Sequence, residues 1–269
     1  SKTFCIMKSI AERHKYILDQ LNLQGFVKVS DLAKELDVTV VTIRKDLKIL
    51  EEKNLLYRTH GSASPINPHM ADRNVTEKEL LNKNEKNLIA AAAAAELIGP
   101  NESIILNSGS TICTFAEKLK PQGALTVVTP SIKVAQLLGG QEGVRLIQLG
   151  GFYKPKSMSV TGSYAIDFLK QITSSLLFLG VDGVDPDYGV TTSNIEEAEL
   201  NRAMIDVALK TIVLCDSSKF GKKGFGKICN LDQIDLVVTD SGITKQMVKY
   251  LEESGVRLLI VSEKGIERK

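Results

Sequence analysis

The chain has 269 residues, of which 43% are hydrophobic and 25% are charged, and its formal net charge is +2. This composition excludes a disordered or low-complexity protein and predicts two globular domains of unequal size. The apolar runs are shorter than the roughly 18 residues that span a bilayer, and the first residues lack the layout of a secretion signal, so we expect a cytoplasmic protein with no membrane partner.

The four cysteines are scattered along the chain, at Cys5, Cys113, Cys215 and Cys229. They form no Cys-x-x-Cys pair, and no histidine lies near enough in sequence to complete a zinc site. We therefore expect no structural metal and no cofactor. Free thiols of this kind are typical of a reducing compartment.

The first 63 residues predict three helices followed by a hairpin. The first helix has apolar residues at helical spacing, at Ile10, Ile17, Leu18 and Leu21. Ser30 is the predicted N-cap of the second helix and Thr39 that of the third, because a hydroxyl accepts hydrogen bonds from the first N–H groups of a helix. Residues 55–60 then predict a strand, and Gly61 permits the turn that would close a β-wing.

The third predicted helix has one apolar and one basic side. Its apolar residues recur at three- and four-residue steps, at Val40, Ile43, Leu47 and Leu50. Such a helix fits the major groove of DNA, where its N-terminal residues reach base edges. We expect Thr42 and Arg44 to contact bases and Lys45 and Lys48 to contact phosphates. Asp46 would pair with Arg44 or Lys45 and orient them.

Four further residues complete the predicted DNA-binding set. Ser30 and Thr39 cap the two helices, and Arg58 and His60 of the wing would enter the minor groove or touch the backbone. Residues 1–62 hold 11 Lys and Arg against 8 Asp and Glu, an excess of +3 that favours a DNA-binding domain. The alternative is a small helical bundle whose charged residues serve only solubility.

Residues 64–84 are rich in Ser, Pro, Asn and mixed charge and show no apolar periodicity, so we predict a linker there that is partly helical from Thr76 onward. This divides the chain into a winged helix-turn-helix domain at residues 1–63, the linker, and a larger domain at residues 85–269. The larger domain begins with a helix around an Ala-rich run at residues 90–95.

Beyond residue 100, apolar strands alternate with segments of helical period. The predicted strands are residues 104–106, 125–128, 145–149, 176–180, 211–215, 236–239 and 257–261. The predicted helices are residues 111–119, 132–138, 164–172, 196–209 and 245–253. Strands that are apolar throughout and alternate with helices indicate an α/β fold, with a mostly parallel sheet and helices on both of its faces.

Small and hydroxyl-bearing residues follow several of these strands. The N–H groups that open a helix bind anions, and the first loop offers such a cradle at Asn107, Ser108, Gly109, Ser110 and Thr111. Similar turns follow later, at Thr129, Ser131, Gly150, Gly151 and Gly162. A plain strand-to-helix connection is the commoner explanation of any single loop. Several loops at one edge of a parallel sheet are better evidence for a ligand site.

Charged residues occupy the later loops. Asp182 and Asp185 follow one strand, and Glu196 opens a helix, where a carboxylate is favourable whatever its function. These carboxylates could accept hydrogen bonds from sugar hydroxyls. Lys219 follows another strand and could pair with a phosphate, although a solvated surface lysine explains it equally well by composition alone.

Residues 29–63 resemble the DeoR family of bacterial sugar-metabolism regulators. The resemblance rests on the motif Thr-Ile-Arg-x-Asp-Leu at residues 42–47, followed by Leu-x-Arg-x-His-Gly at residues 56–61. Three positions depart from the family pattern, with Lys45 in place of Arg, Asn54 in place of Gly and Ser62 in place of Gly. The resemblance implies a winged helix-turn-helix that binds a double-stranded DNA operator.

The larger domain looks like the sensor domain of DeoR-type regulators, which is related to ribose-5-phosphate isomerase and glucosamine-phosphate deaminase. Residues 107–111 resemble the family loop Asp-Ser-Gly-Thr-Thr, with Asn107 in place of Asp. Residues 180–185 resemble an isomerase segment, and residues 216–219 resemble an Asp-x-Ser-Lys loop shared by both groups. The resemblance implies a regulator, commonly a repressor, whose large domain binds a phosphorylated sugar as effector.

Three functions remain open on the sequence alone. The resemblance favours a regulator that is not an enzyme and that forms a homodimer or homotetramer, because helix-turn-helix proteins commonly pair to reach two half-sites. The alternative is a sugar-phosphate isomerase with a DNA-binding head, in which Asp182, Asp185 and Glu196 would move protons. Against it, Gly183 stands where those enzymes have a carboxylate, and their Lys- and Gly-rich segment is missing. In the third, the large domain serves only oligomerisation.

Overall fold

The computed structural model describes residues 9–24, 27–53, 55–59, 61–65 and 74–269. The chain divides into two compact units, Ser1–Ala71 and Asp72–Lys269. Within the described ranges, no helix combines the length and apolar character that crossing a membrane requires. The same residues contain no group of three or more His, Cys, Asp or Glu side chains placed to hold a metal ion.

The first unit is a winged helix-turn-helix. In chain order its elements are α1 (Ile10–Gln24), β1 (Val27–Lys28), α2 (Val29–Glu35), α3 (Val40–Glu52), β2 (Leu56–Thr59) and β3 (Ser62–Pro65). The three strands form an antiparallel sheet in the order β1-β3-β2, and we call the β2–β3 hairpin the wing. Gly61 turns this hairpin with φ +84°, a left-handed conformation that glycine adopts without a steric penalty. The predicted three helices and hairpin are confirmed.

One apolar core lies between α1, α2, α3 and the wing. Its fully buried members from α1 and α3 are Ile17, Leu21, Ile43, Leu47 and Leu50. The prediction of an inward-facing Val40 was wrong, since Val40 is 39% exposed, and Ile10 is 59% exposed. Each is the first residue of its helix, and neighbouring elements do not cover it. The apolar spacing in the sequence therefore includes one residue of each helix that is not part of the core.

The two predicted helix caps have different outcomes. Thr39 caps α3, because its Oγ1 accepts a hydrogen bond from the Thr42 N–H at 3.1 Å. Ser30 does not cap α2, which begins at Val29 with Lys28 in the capping position. The side chain of Val29 is buried in the core, so the helix starts one residue earlier and Ser30 lies exposed within its first turn.

The second unit begins with two helices, α4 (Val75–Leu80) and α5 (Lys83–Glu96). Most of residues 74–84, which the sequence assigned to the linker, is therefore helical and belongs to the second unit. The sequence shows no period there because α4 is a six-residue helix with Val75 as its buried residue. Asn82 separates the two helices in a left-handed conformation, with φ +50°.

The remaining elements alternate between strands and helices. The strands are β4 (Ser103–Leu106), β5 (Leu125–Thr129), β6 (Val144–Gln148), β7 (Phe152–Lys154), β8 (Ser159–Thr161), β9 (Ser174–Gly180), β10 (Gly183–Asp185), β11 (Gly189–Thr192), β12 (Ala208–Leu214), β13 (Gly226–Cys229), β14 (Leu236–Asp240), β15 (Arg257–Ser262) and β16 (Gly265–Arg268). The helices are α6 (Ser110–Lys118), α7 (Ile132–Leu138), α8 (Ser163–Leu169), α9 (Ile195–Val207) and α10 (Lys245–Glu253).

An eight-stranded sheet in the order β16-β15-β14-β12-β9-β4-β5-β6 forms the centre of the second unit. Every neighbouring pair is parallel except β15 with β16. The seven predicted strands are the seven parallel ones, so the predicted α/β fold class is confirmed. The sequence did not predict β16 or the two small antiparallel sheets, β7-β8 and β10-β11-β13, whose strands are only three or four residues long.

Each face of the large sheet has its own apolar core, because successive residues of a strand point to opposite sides. Ile104 and Leu106 of β4 join one core with Phe115 of α6, whereas Ile105 joins the other core with Leu169 of α8. Residues of α5, α6 and α7 cover the first face and residues of α8, α9 and α10 the second. With both faces covered, functional side chains gather at the carboxyl ends of the strands.

Candidate functional sites

The exposed side of α3 carries the basic residues that the sequence assigned to DNA. These exposed residues are Arg44, Lys45 and Lys48. Thr42 is half-buried beside the cap, with its Oγ1 3.0 Å from Thr39 Oγ1. Val41 lies exposed in the same turn and presents methyl groups of the kind that contact the methyl of thymine. This surface offers both polar and apolar contacts to base edges.

Asp46 faces the opposite way and is buried, contrary to the predicted pairing with Arg44 or Lys45. Its carboxylate accepts hydrogen bonds from Arg13 Nε at 2.8 Å and Nη2 at 3.0 Å, and His14 Nε2 lies 3.1 Å from Oδ1. The hydrogen bond to this carboxylate raises the pKa of Arg13. A buried carboxylate requires such partners, so the pair fixes α1 to the inner side of α3 and orients the exposed side.

Arg58 of the wing is held against the end of α3. Its backbone N–H donates to Glu51 Oε1 at 3.0 Å and its Nε donates to Oε2 at 2.7 Å. These two bonds hold the pKa of Glu51 below its usual value. Arg44, Arg58 and Gly61 line one groove between α3 and the wing, so two of the predicted DNA contacts share a surface. His60 lies outside the described residues.

The second unit has a pocket at the carboxyl ends of β4 and β9, which are neighbouring strands of its large sheet. The lining residues are Val75, Lys78, Asn107, Ser108, Gly109, Ser110, Thr111, Lys156, Ser157, Gly180, Val181, Asp182, Thr192, Glu197, Asn201 and Lys219. The structure thus brings the complete predicted anion cradle, residues 107–111, together with Asp182 and Lys219, although these segments are far apart in the sequence.

One part of the pocket has the chemistry of an anion site. Gly109 caps α6 with φ +122° and no side-chain cap bond, and the first N–H groups of a helix have no partner within the helix. Lys78, Lys156 and Lys219 all line the same pocket. Helix N-termini and cations both attract phosphates and carboxylates. The residues present therefore suit a ligand with a phosphate group.

Another part of the pocket carries hydrogen-bond acceptors. Asp182 is buried, and its Oδ1 accepts a hydrogen bond from Lys78 Nζ at 2.8 Å. Its Oδ2 accepts from the Ser193 N–H at 3.0 Å and from Thr192 Oγ1 at 3.3 Å. Glu197 of α9 lies in the same lining. Carboxylates at these positions are suited to accept hydrogen bonds from the hydroxyl groups of a ligand.

Asn107 lies at the base of the pocket and links the ends of β4 and β9. Its side-chain amide donates to the Gly180 carbonyl at 3.0 Å and accepts from the Gly180 N–H at 2.8 Å. The amide also donates to Asn201 Oδ1 at 3.3 Å. Asn107 is buried, so its contacts position the loop that carries the anion cradle.

Six predicted ligand-binding residues do not line this pocket: Thr129, Ser131, Gly150, Gly151, Gly162 and Glu196. Thr129 Oγ1 accepts from the Ser131 N–H at 3.1 Å, and Ser131 caps α7. A Cβ on Gly151 would lie 2.4 Å from the Thr161 carbonyl oxygen, and Gly162 caps α8 with φ +99°. These residues therefore shape turns and helix ends, the commoner role of small residues after strands.

Of two neighbouring carboxylates at the start of α9, the pocket lining contains Glu197 and not the predicted Glu196. Asn194 caps α9 through the N–H groups of Glu196 and Glu197. With α9 starting directly after this residue, Glu197 faces the pocket and belongs to its lining. Glu196 points elsewhere: its side chain is 57% exposed and pairs with Lys154 at 2.8 Å. The sequence also missed Lys78, because it falls in the interval predicted as a linker. The helix expected from Thr76 onward was the available signal, and its six residues are too few to show which side chains face a pocket.

Both units match known domains. Residues 13–69 match the DeoR-like helix-turn-helix domain, and residues 81–241 match the DeoR C-terminal sensor domain.

The chain belongs to the DeoR family. A putative aga operon transcriptional repressor from Escherichia coli O157:H7 is 37% identical over 256 residues, which cover 94% of each protein. The glycerol-3-phosphate regulon repressor from Escherichia coli K12 is 29% identical over 252 residues, covering 92% of this chain and 97% of that protein. The predicted DNA-binding transcriptional regulator of the DeoR family is confirmed.

Ribose 5-phosphate isomerase A from Methanocaldococcus jannaschii is similar in structure to part of this DeoR-family chain. It has 14% sequence identity, covers 70% of this chain and 99% of its own, and gives a TM-score of 0.42. Similarity at this level is too low to indicate a shared function.

Proposed function

We propose that this DeoR-family chain is a cytoplasmic repressor that binds its operator through α3 and the wing and releases it when a phosphorylated sugar occupies the pocket. The observation that carries the proposal is the pocket itself, where the start of α6 and three lysines lie together with buried acceptors. A phosphorylated sugar has groups that suit both parts of the pocket. Its phosphate is an anion with three acceptor oxygens, and its hydroxyl groups can donate hydrogen bonds to the carboxylates. The name of the glycerol-3-phosphate regulon repressor supports a phosphorylated effector.

The same geometry argues against an isomerase. The acid–base candidates do not face one another across a substrate: Asp182 holds Lys78, Asp185 accepts the N–H groups of a turn, and Glu196 is outside the pocket. A Cβ on Gly183 would lie 2.2 Å from the Lys222 carbonyl oxygen, so the backbone excludes a carboxylate there. We infer that the pocket binds its ligand without converting it.

Regulation then follows from a difference in affinity. A ligand shifts an equilibrium only if it binds one arrangement of the protein better than another. In our proposal the arrangement that fits the operator is the one with the empty pocket, so the effector weakens DNA binding. We propose a homodimer or homotetramer as the active form, because two heads on one operator would read two half-sites.

The test has two arms that use the full chain. In the first, thermal unfolding is followed with a panel of sugar phosphates, the matching free sugars and inorganic phosphate. A phosphorylated ligand should raise the melting temperature without being converted, whereas the free sugar should not. Conversion in the same tubes would favour the enzyme. If no member of a broad panel raises the melting temperature, the large domain has no sensor function for this class of ligand.

In the second arm, binding to the DNA upstream of the protein's own gene is measured by fluorescence anisotropy. Arg44→Ala should weaken binding by about 10- to 100-fold, because one good base contact contributes about 1–3 kcal/mol. Arg145→Ala is the matched control, since Arg145 is exposed on the second unit, and it should leave affinity unchanged. An unaffected Arg44→Ala variant would remove α3 as the recognition helix.

A further inference from the structure

Helix α4 is both a wall of the pocket and the first described element after the wing. Val75 and Lys78 belong to the pocket lining. Along the chain, α4 follows β3 after residues 66–74 alone. Helix α4 is therefore the part of the pocket lining that is nearest in sequence to the DNA-binding unit.

Two polar contacts hold α4 to residues that also line the pocket. At its start, the Val75 N–H donates to the Lys156 carbonyl at 2.7 Å. One turn later, Lys78 Nζ donates to Asp182 Oδ1 at 2.8 Å, and both side chains are largely buried. Whatever enters the pocket thus meets the residues that fix α4 in place.

A third contact holds the other end of α4 and comes from Lys86, which is not part of the pocket lining. Lys86 of α5 is buried, and its ammonium donates to the carbonyl of Leu81 at 2.6 Å and to the carbonyl of Lys78. Lone carbonyls at a helix end need such donors. A change inside the pocket would leave this anchor intact, so the C-terminal end of α4 can stay fixed while its contacts with the pocket change.

We propose that the phosphate of the ligand binds Lys78, drawing its ammonium away from Asp182, and that α4 moves with it. This inference rests on the proposed function. A phosphate carries about −1.5 to −2 charges at neutral pH and three strong acceptor oxygens, more than a carboxylate offers. Asp182 keeps two donors without Lys78, the Thr192 hydroxyl and the Ser193 N–H, so the exchange does not leave a buried carboxylate unpaired.

The exchange gives α4 two arrangements, one without the phosphate and one with it. When the phosphate is absent, Lys78 stays on Asp182 and α4 is held against the pocket. When the phosphate is present, two anions compete for one ammonium, and the phosphate attracts it more strongly because it carries the larger charge. By linkage, operator DNA that favours the held arrangement of α4 lowers the affinity for the ligand by the same factor.

Hydrogen exchange in the full chain tests this directly, with inorganic phosphate as the probe and sodium chloride at equal ionic strength as the reference. In the wild type, phosphate should change the exchange rate of the amides in residues 75–81 by threefold or more and leave α10 unchanged. Asp182→Asn, which weakens the hold on Lys78, should show a change of the same sign without phosphate. Lys78→Met should lose the phosphate-dependent change.

Two further variants separate this role from a merely structural one. Lys78→Arg keeps the cation and should keep the response. Lys83→Met is the matched control, since Lys83 is an exposed lysine outside the pocket lining, and it should respond like the wild type. The melting temperature of every variant, with and without phosphate, reports whether it is folded and whether it binds.

The possible failures are distinguishable. If phosphate raises the melting temperature of the wild type but leaves residues 75–81 unchanged, the pocket stands and the coupling through α4 is refuted. A full response in Lys78→Met likewise refutes the role of Lys78. If neither phosphate nor any sugar phosphate raises the melting temperature, the proposed function fails, and this inference fails with it.

Discussion

Removing the carboxylate of Asp46 should destabilise α3 locally while leaving the second unit intact. In the wild type, the Asp46 side chain is 4% exposed and accepts two charge-assisted hydrogen bonds from Arg13. An Asp46→Ala variant removes both bonds and leaves the Arg13 guanidinium without this partner. Breaking a buried pair costs about 3–5 kcal/mol. Because the Arg13 side chain is 13% exposed and can turn toward water, we expect a cost near the lower limit, about 3 kcal/mol.

Hydrogen exchange in the full chain measures this cost without interference from the second unit. Since 1.4 kcal/mol corresponds to a factor of ten, protection of the α3 amides should fall by about 100-fold. Operator affinity should fall with it, because the exposed side of α3 loses its fixed orientation. Glu52→Ala is the matched control: Glu52 lies on the same helix and is 64% exposed, 3.9 Å from Lys48. Its effect should stay within about 0.5 kcal/mol. Protection within threefold of the wild type in Asp46→Ala would refute the reasoning.

Three further predictions concern the second unit. Gly109→Ala places a side chain at φ +122° and ψ 160°, a region open essentially to glycine alone, so the free energy of unfolding in urea should fall by about 1–3 kcal/mol; an unchanged value would show that the start of α6 can relax. Lys219→Ala should leave operator affinity unchanged and weaken the response to sugar phosphates at least tenfold in anisotropy titrations; an undiminished response would exclude Lys219 from the site. Burial raises the pKa of the Cys113 and Cys229 thiols to about 12. The thiolate is the nucleophile in thiol–disulfide exchange, so little of either thiol is reactive at pH 8 in the folded protein. A Cys5→Ser variant should therefore react with a disulfide reagent roughly 100-fold more slowly in its native state than in denaturant. Rapid reaction of the native protein would contradict it.

The sequence predicted well those features that depend on local patterns. The parallel strands of the second unit are buried on both faces, so their residues are apolar throughout and each strand stands out from its helices. The helix α3 was equally clear, because Thr39 caps it and Ile43, Leu47 and Leu50 repeat at helical spacing. The anion cradle at residues 107–111 follows from the same local logic, a small-residue loop between a strand and a helix.

Two features that the sequence did not predict depend on partners distant in the chain, and a third depends on the residue at which a helix begins. Asp46 is buried only because Arg13 and His14 of another helix meet it, and no local pattern announces that pairing. Lys78 reaches Asp182 across 104 positions of sequence. Whether Glu196 or Glu197 faces the pocket is set by where α9 begins, and a difference of one residue rotates the side chain by about 100°.

Asn107 links β4 to β9 without adding a charge to the pocket, which an ionised carboxylate at this position would do. Its amide both donates to and accepts from the backbone of Gly180, whereas an ionised acid in its place could only accept and would repel the carbonyl 3.0 Å away. The junction between β4 and β9 is thus clamped by a neutral group. The Asn107 side chain therefore adds no negative charge that would repel an anion entering the pocket. Because an amide does not titrate, its hydrogen bonds to Gly180 do not depend on pH.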